Sequence, residues 1–201
     1  MPLDGVRFIS NHSTGRFGTL MAEAALKKGA TVGFIFGKGS LTPKPHPRLT
    51  LMPVETNDDV EKTLKYLLKK TKWDALIHAM ALLDFKPKKV KRGKTKTKNG
   101  VWKVKLVPTL KIITEIKKWA PKIFLVGFKL EMGVSQTELI RRAKKLIRES
   151  GADLVLANQL TEGKDASHLG LLLNKKGNVI VKKRGKNNLA RLIIKEMEKY
   201  L

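Results

Sequence analysis

Short apolar runs alternate with amphipathic segments along most of the chain, and this alternation constrains the fold more than any other feature. Apolar runs of strand length lie at 6–10, 30–36, 49–54, 74–81, 122–128 and 153–157. Between them, apolar residues recur at helical spacing, as in the stripe Val60, Leu64, Leu67 and Leu68. Strands that alternate with helices favour a mainly parallel sheet covered on both faces. The sequence therefore predicts an α/β fold with a Rossmann-like, doubly wound sheet.

Local signals place several element ends. Gly29 and Gly151 are expected to end two helices, and Ser135 with Glu138 forms a capping box that opens the second of them. A further helix is expected to start near Pro108. Runs at 169–173 and 178–182 flank a polar turn and predict a C-terminal hairpin, and a last amphipathic helix is expected from Asn187.

One segment breaks the alternation. Between Lys86 and Lys105 there are ten Lys or Arg residues and no acid, and Val101–Leu106 alternates like an exposed hairpin strand. We treat residues 86–106 as a mobile basic flap on a single domain that spans 1–201. The flap is open to three interpretations: a solvated loop, a phosphate-gripping arm for nucleic acid, or a lid that brings a lysine onto a triphosphate.

Composition excludes several classes of protein. An apolar fraction of 42% in 201 residues is enough for a packed core. The absence of cysteine excludes disulfides, thiolate zinc sites and thiol nucleophiles, and the histidines (His12, His46, His78, His168) lack metal-ligand spacing. No run is as long as a membrane span and no leader pattern precedes the first strand, so we expect a cytoplasmic location and no membrane partner.

The charge balance favours anionic partners. The chain has 42 Lys and Arg against 17 Asp and Glu, a formal net charge of +25. Nucleotides, phosphorylated metabolites and nucleic acids are all attracted to such a positive electrostatic field. Abundant lysine, scarce glutamine and the lack of cysteine are also typical of thermophile proteins.

Ligands of open parallel sheets bind beyond the carboxyl ends of the strands, and polar residues follow the predicted strands there. Asn11, Ser13 and Gly15 follow the run at 6–10 and precede a helix, an arrangement that can cradle a phosphate or can be a simple helix cap. Asp84 follows the run at 74–81 and is either a partner for lysine or a carboxylate for Mg²⁺. Phe128 and His78 are expected in the core, His78 with a hydrogen bond.

Six blocks in register resemble phosphopantothenoylcysteine synthetase, a family commonly found as the carboxy-terminal half of a bifunctional coenzyme A biosynthesis flavoprotein. The first block is DGVRFISNHSTGRFG, from Asp4 to Gly18, followed by AEAA. The other blocks follow in order: PVET from Pro53, AMALLDFKP from Ala79, KTKT from Lys94, VGF from Val126 with Glu131, and Ala157-Asn158.

The resemblance implies an activity. Such enzymes activate the carboxylate of 4′-phosphopantothenate with CTP or ATP, release pyrophosphate, and let the amine of L-cysteine capture the acyl-nucleotidylate to form an amide. It also implies Mg²⁺, no FMN, a homodimer in which Arg7 and the flap complete the partner's site, and a separate phosphopantothenoylcysteine decarboxylase as a possible partner. A CTP preference is our hypothesis.

The resemblance also assigns roles to residues. Arg7 and Asn11 match residues for phosphopantothenate and the acyl-nucleotidylate, Lys94 matches a flap lysine on the triphosphate, and Asp84 matches the acid near nucleotide and metal. The predicted nucleotide-binding set is Ser13, Gly15, Ala79, Met80, Ala81, Asp84, Lys94, Lys111, Phe128 and Lys145. Lys111 is a departure because it replaces a family acid, and the register at Lys145 is loose. No general base for the cysteine amine is assigned.

Three other functions were weighed against the ligase. A basic α/β protein that binds nucleic acid explains the charge but leaves Asn11 and Asp84 without a role, and it needs no Mg²⁺. A nicotinamide-dependent reductase requires an acid after the second strand, where this chain has Gly37–Ser40. A degenerate synthetase that binds nucleotide without turnover stays open because of Lys111.

Overall fold

The computed structural model describes residues 1–97, 100–160 and 169–201. Predictions that fall on 98–99, within the flap, and on His168 lie outside the described residues. The helices are α1 (Arg16–Lys27), α2 (Asn57–Lys70), α3 (Ile116–Trp119), α4 (Gln136–Ser150) and α5 (Lys186–Met197), with a 3₁₀ turn at Ile112–Thr114. The strands are β1 (Val32–Gly37), β2 (Leu49–Val54), β3 (Ala75–His78), β4 (Phe85–Pro87), β5 (Leu106–Pro108), β6 (Phe124–Met132), β7 (Leu154–Leu160), β8 (Leu169–Asn174) and β9 (Val179–Arg184).

The largest sheet has the order β3-β6-β7-β8-β9. Its first three strands are parallel, with His78 opposite Gly127 and Val126 opposite Leu154, and its last two are antiparallel. Strands β1 and β2 form a separate parallel pair, and β4 and β5 a short antiparallel pair. The prediction of an α/β fold with a mainly parallel sheet is confirmed, as is the C-terminal hairpin.

Two apolar layers cover the largest sheet because its central strands are apolar on both faces. On β6, Leu125 faces one layer and its neighbour Val126 faces the other, as the two-residue period of a strand requires. The first layer holds α2, α3 and α4, with Val60, Ile116 and Ala143 among its buried side chains. The second holds α1 and α5, whose buried side chains include Met21, Leu189 and Ile193.

The predicted helix ends are mostly confirmed. Gly29 and Gly151 both adopt positive φ, 88° and 67°. Gly151 directly follows α4, and Gly29 lies two residues after the end of α1. The Ser135 hydroxyl accepts the backbone N–H of Glu138, whereas the Glu138 carboxylate pairs with Arg141 and Arg142. The reciprocal capping box occurs instead at α2, between Thr56 and Asp59.

The run at 6–10 is not a buried strand, so that prediction is wrong. Val6 and Phe8 are 62% and 71% exposed, and within the described part of the chain the segment makes only one bridge, from Phe8 to Pro2. The backbone instead closes on itself and on the flap: Ile9 N–H donates to the Met1 carbonyl, and Gly5 N–H donates to the Gly93 carbonyl. The apolar composition of residues 6–10 is typical of a strand, but composition does not specify which backbone segment pairs with the run.

Three boundaries also differ from expectation. The exposed strand predicted over 101–106 is reduced to β5, which begins at Leu106, because β4 offers only three partners for it. Pro108 ends that strand, and no helix starts there; the chain turns at Ile112. Strand β6 continues to Met132, four residues beyond the predicted end at Phe128, because β7 pairs with it from Val126 to Met132. Within the described ranges, every helix is too short or too polar to cross a lipid bilayer.

Candidate functional site

The loop at 79–84 follows β3 and carries a row of carbonyl groups that other segments hold in place. The Asn11 side chain donates through Nδ2 to the carbonyls of Ala81 and Leu82, at 3.1 and 3.0 Å. Both amide hydrogens are then used, and Oδ1 remains as the acceptor of this side chain. The structure therefore joins two of the predicted segments, the one that follows residue 10 and the one that follows β3.

Two more side chains hold the next carbonyl of the loop. Asn57, at the start of α2, donates to the Leu83 carbonyl at 2.7 Å, and Thr109, just after β5, donates its hydroxyl to the same oxygen at 2.5 Å. The Thr109 N–H donates to the Asp84 carbonyl at 2.9 Å. Four consecutive carbonyls thus have donors from three separate parts of the chain. Asn57 and Thr109 were missed from the sequence because neither belongs to a local motif.

The amino end of α1 lies beside this loop, and its first backbone N–H, that of Arg16, donates to the Thr14 hydroxyl at 3.4 Å. Its N-cap is Gly15, which has no side chain to cap the helix and adopts φ 74°. A Cβ on Gly15 would approach the Ser40 Cβ to 2.9 Å and the Leu41 carbonyl to 3.0 Å, so both conformation and space require glycine. Helix N-termini with free N–H groups attract anions.

One cavity of about 690 Å³ brings six predicted site residues together. Its walls include residues that follow the first segment, the amino end of α1 and the loop after β3, namely Asn11, Ser13, Gly15, Ala79, Met80 and Ala81. The cavity also reaches Gly37–Ser40, the loop that follows β1. This gathering at the carboxyl edge of the parallel strands is the place where doubly wound proteins bind ligands.

Asp84 lies at the end of the same loop with an exposed carboxylate. Within residues 1–97, 100–160 and 169–201, no hydrogen bond or ion pair of this carboxylate is found, although Lys86, two residues on, pairs with Asp58 at 3.0 Å. The described residues contain no cluster of three or more His, Asp or Glu side chains that could hold a metal. A cation bound here would therefore take most of its ligands from a phosphate-bearing substrate and water, which is the ordinary pattern for Mg²⁺.

Arg7 and Lys94 line a different cavity from Asn11. This second cavity, of about 510 Å³, is bounded by Arg7 and by Lys94–Thr97 of the flap. The predicted catalytic residues are thus divided within one chain into an Asn11 group and an Arg7–Lys94 group.

A buried carboxylate, Asp4, joins Arg7 to the flap. It accepts the backbone N–H groups of Val6, Arg7 and Thr95 and the Arg7 guanidinium, all at 2.9 to 3.0 Å. These hydrogen bonds, the one from the Thr95 backbone first, hold the pKa of Asp4 well below its usual range. Arg7 also donates to the Thr95 carbonyl and lies 5.3 Å from the Trp102 ring centroid. The long-range partner of Asp4 could not be inferred from the sequence.

Lys111 and Lys145 lie together and line neither cavity. Lys111 Nζ is 3.2 Å from one carboxylate oxygen of Glu149, and Lys145 Nζ is 3.6 Å from the other. The hydrogen bond from Lys111 lowers the pKa of Glu149 below its ordinary value. Two predicted nucleotide-binding lysines therefore share an acid on α4. Thr109, whose N–H donates to the Asp84 carbonyl, is separated from Lys111 by one residue.

Phe128 packs as the sequence led us to expect. Its ring meets that of Phe17 edge-to-face at a centroid distance of 5.4 Å, between β6 and the first turn of α1. It lies within β6 and is partly buried. This position is close to the amino end of α1, although Phe128 does not line either cavity described above.

His78 is a core histidine without the expected hydrogen bond at Nε2. This nitrogen is buried and has no partner among the described residues. Burial lowers the pKa of His78 to about 4, so the imidazole is neutral at physiological pH. His78 lines the larger cavity at the carboxyl end of β3.

Comparisons with known proteins agree with the geometry. A family model described as the DNA/pantothenate metabolism flavoprotein C-terminal domain matches residues 1–201. The coenzyme A biosynthesis bifunctional protein CoaBC of Thermococcus kodakarensis is 36% identical over 200 residues, which are 99% of this chain and 48% of that protein. The crystal structure of the DNA/pantothenate metabolism flavoprotein from Streptococcus pneumoniae superposes with a TM-score of 0.89 at 30% identity, covering 99% of this chain and 94% of that one.

A crystal structure of the C-terminal domain of CoaBC superposes with a TM-score of 0.78 at 25% identity, over 99% of this chain and 89% of that one. This chain belongs to the family of DNA/pantothenate metabolism flavoprotein C-terminal domains, and the resemblance in its sequence is confirmed at that level. It spans about half the length of the CoaBC protein that it matches over 99% of its own residues.

The hydrogen bonds of the Asp4 carboxylate predict how the flap responds when the charge of Asp4 is removed. In Asp4→Asn, an amide NH₂ in place of one carboxylate oxygen would face N–H donors, so the flap should detach from residues 1–8. We expect trypsin to cleave the flap about tenfold faster than in the parent chain, because cleavage follows local opening. Time-resolved proteolysis with mass spectrometry measures this rate.

Asp58→Asn is the matched control, because it removes the exposed ion pair with Lys86 at the base of the same flap. Its cleavage rate should stay near that of the parent chain. Equal acceleration in both variants, or none in Asp4→Asn, would show that Asp4 does not hold the flap.

Proposed function

We propose that this chain is a phosphopantothenate–cysteine ligase of coenzyme A biosynthesis. In the first half-reaction, the carboxylate of 4′-phosphopantothenate attacks the α-phosphorus of CTP or ATP, and pyrophosphate leaves. In the second, the amine of L-cysteine attacks the acyl carbon, the nucleoside monophosphate leaves, and an amide forms. Family membership supports this proposal, and the single structural observation that carries it is the cavity that gathers Asn11, the amino end of α1 and the loop at 79–84.

The amino end of α1 is the proposed site for the triphosphate. Its N–H groups carry a partial positive charge, and the absence of a Cβ at Gly15 lets a phosphate approach the backbone. The Ser13 hydroxyl lines the same cavity and adds a donor. Donors fixed in advance at this position would offset the charge that builds on the departing pyrophosphate.

Asp84 is the proposed protein ligand for Mg²⁺. Its carboxylate is exposed, close to the cavity loop, and an oxygen donor of the kind that Mg²⁺ prefers. Bound Mg²⁺ would neutralise part of the charge of the triphosphate. The amine of cysteine must also lose a proton, and among the described residues we assign no base to that step.

Asn11 is proposed to position the acyl-nucleotidylate. In the resting arrangement Nδ2 donates to Ala81 and Leu82, so the side chain offers Oδ1 to a substrate while it holds the loop that lines the pocket. A direct hydrogen bond from Nδ2 to the acyl group would require release of one of these carbonyls. The residues Ala79, Met80 and Ala81 are proposed to line the nucleotide pocket, with Phe128, Lys111 and Lys145 as outer contacts.

We infer a homodimer in which Arg7 and Lys94 act on the partner's substrates. Within one chain these residues line a cavity separate from that of Asn11. Large apolar side chains of the same region are exposed in the single chain, with Phe8 at 71% and Val101 at 85%. Exposed large apolar side chains are a usual feature of subunit interfaces, and they support the inference. Arg7 would bind phosphopantothenate, and Lys94 would meet the triphosphate.

Several finer points remain our proposals. We infer CTP as the preferred nucleotide, no FMN in this chain, and a cytoplasmic enzyme that works beside a phosphopantothenoylcysteine decarboxylase. The excess of lysine is proposed to serve heat tolerance and the attraction of phosphorylated substrates rather than the binding of nucleic acid.

The ligase proposal predicts a defined requirement for substrates. Pyrophosphate release should depend on 4′-phosphopantothenate and Mg²⁺, should be faster with CTP than with ATP, and should become catalytic on addition of L-cysteine, because capture frees the site. A coupled pyrophosphate assay with each component omitted in turn measures this. Failure to release pyrophosphate with either nucleotide would reject the activity and leave a degenerate nucleotide-binding relative.

The dimer proposal predicts complementation between two inactive variants. Asn11→Asp should slow capture by cysteine, and Lys94→Gln should slow nucleotide activation. A heterodimer with one subunit of each kind has one intact site and one doubly altered site if Lys94 acts across the interface, so it should retain about half of the wild-type rate.

Heterodimers purified through two different affinity tags allow this measurement. The control is each variant paired with itself, which has no intact site in either arrangement. Should the heterodimer be no faster than the two homodimers, Asn11 and Lys94 would have to act within one chain.

A further inference from the structure

Trp102 is the only aromatic residue in the sequence from 86 to 105, a segment that also holds ten Lys or Arg residues. Two cations lie over its ring: Arg7 Cζ is 5.3 Å from the ring centroid, and Lys91 Nζ is 5.5 Å from it. Both distances fall within the roughly 6 Å over which the negative face of an indole attracts a cation. Trp102 is partly buried, whereas its neighbour Val101 is 85% exposed. The ring therefore packs against charged side chains instead of extending into solvent.

The Arg7 guanidinium is contacted at one edge and on one face. At the edge, the Thr95 carbonyl accepts from both Nη1 and Nη2 at 3.3 Å, and Asp4 accepts from Nη1 at 3.0 Å. On the face lies the ring of Trp102, seven positions beyond Thr95 in the flap. Two parts of the flap thus fix the same side chain, one by hydrogen bonds and the other by its ring.

These contacts leave one edge of the guanidinium available. A guanidinium has five N–H groups. Asp4 and Thr95 engage both N–H groups of Nη1 and one of Nη2. Within the described residues, the Nε–H and the second N–H of Nη2 have no acceptor. These two groups are parallel and lie on the same edge, which is the fork that matches two oxygens of a carboxylate or a phosphate.

The surroundings of this edge suit an anion. The Arg7 side chain is 35% exposed, whereas the Asp4 side chain is fully buried behind it. Arg7 lines the second cavity together with Lys94 and Lys96, and no acid among the described residues lines that cavity. Asp4 offsets the charge of one cation, and the two lysines keep the cavity positive.

The hydrogen bonds at the edge do not by themselves hold the plane of the guanidinium. Acceptors along one edge fix its position, but they allow the plane to rock about that edge. A ring packed on the face opposes this motion. An arginine held in this way loses its side-chain freedom on folding rather than on binding, which favours binding of the anion.

We propose that Trp102 is a positioning residue, which holds the Arg7 guanidinium so that its free edge chelates two oxygens of an anionic substrate group in the second cavity. The identity of that substrate as 4′-phosphopantothenate rests on the proposed function. The positioning of Arg7 by the indole ring does not rest on it.

The first test observes the guanidinium itself by nitrogen-15 NMR. The Nε–H signal of Arg7 is assigned by its absence in Arg7→Lys. In the parent chain the Trp102 ring current should displace this signal upfield, and relaxation should report a rigid Nε–H on the picosecond to nanosecond timescale. Trp102→Leu, which has no π face, should move the signal downfield and make it mobile, and Trp102→Phe should restore most of both properties. An unchanged signal in Trp102→Leu would overturn the proposal.

The second test measures affinity for 4′-phosphopantothenate without nucleotide, by titration calorimetry. Trp102→Leu should weaken binding about tenfold and Trp102→Phe less than about threefold, because phenylalanine keeps a face for the cation. Lys103→Gln is the matched control, because it removes an exposed charge beside Trp102 and keeps the ring. It should bind within about twofold of the parent chain, as expected for loss of a screened surface charge. Equal losses in Lys103→Gln and Trp102→Leu, or no binding by the parent chain, would contradict the proposal.

Steady-state kinetics separate positioning of Arg7 from a general loosening of the flap. In Trp102→Leu the KM for 4′-phosphopantothenate should rise by the factor seen in the titration, while the KM for CTP stays within about twofold. A loosened flap would also displace Lys94 and raise the KM for CTP, and that outcome would contradict a role specific to Arg7. A parent chain that binds 4′-phosphopantothenate but releases no pyrophosphate would reject the ligase and leave this inference standing. An active parent with an unaffected Trp102→Leu would do the reverse.

Discussion

The arrangement of the site depends on one set of hydrogen bonds, those that hold the carbonyl row at 81–84. Asn11, Asn57 and Thr109 come from three distant segments and meet on this row. Each donor satisfies backbone oxygens that a loop cannot pair by itself. The amino end of α1, the start of α2 and the chain after β5 are thereby fixed around one loop, and the Asp84 carboxylate is presented at its end.

This constraint fits the proposed phosphoryl chemistry, for which no base is assigned among the described residues. Attack by a carboxylate on an α-phosphorus needs positioning and charge neutralisation more than proton transfer. The fixed loop supplies position, and the helix terminus supplies partial charge.

The sequence predicted the elements that carry their own periodicity and caps. Helix α4 with Ser135 and Gly151, strand β2, and the hairpin of β8 and β9 all follow from local pattern, because the interactions that set their boundaries are local. The gathering of Asn11 with the loop after β3 was also predicted, from the rule that parallel strands end at one edge, although the run before Asn11 is not a strand.

The features that depend on distant partners could not be predicted. The apolar run at 6–10 has the composition of a strand, but Asp4 and its bonds to Thr95 draw it toward the flap. Two further features depend on contacts between residues more than thirty positions apart. Arg7 and Lys94 are separated from Asn11, and Lys111 shares Glu149 with Lys145. No single-sequence pattern encodes these distances.

The central claim is that nucleotide binds at the carboxyl edge, between the amino end of α1 and the loop at 79–84. Hydrogen–deuterium exchange with and without CTP and Mg²⁺ locates the bound nucleotide directly. The account predicts slower exchange in 11–19 and in 79–84 together. Slower exchange confined to the lysine-rich segment 91–97, or no change in either predicted segment at saturating nucleotide, would contradict it.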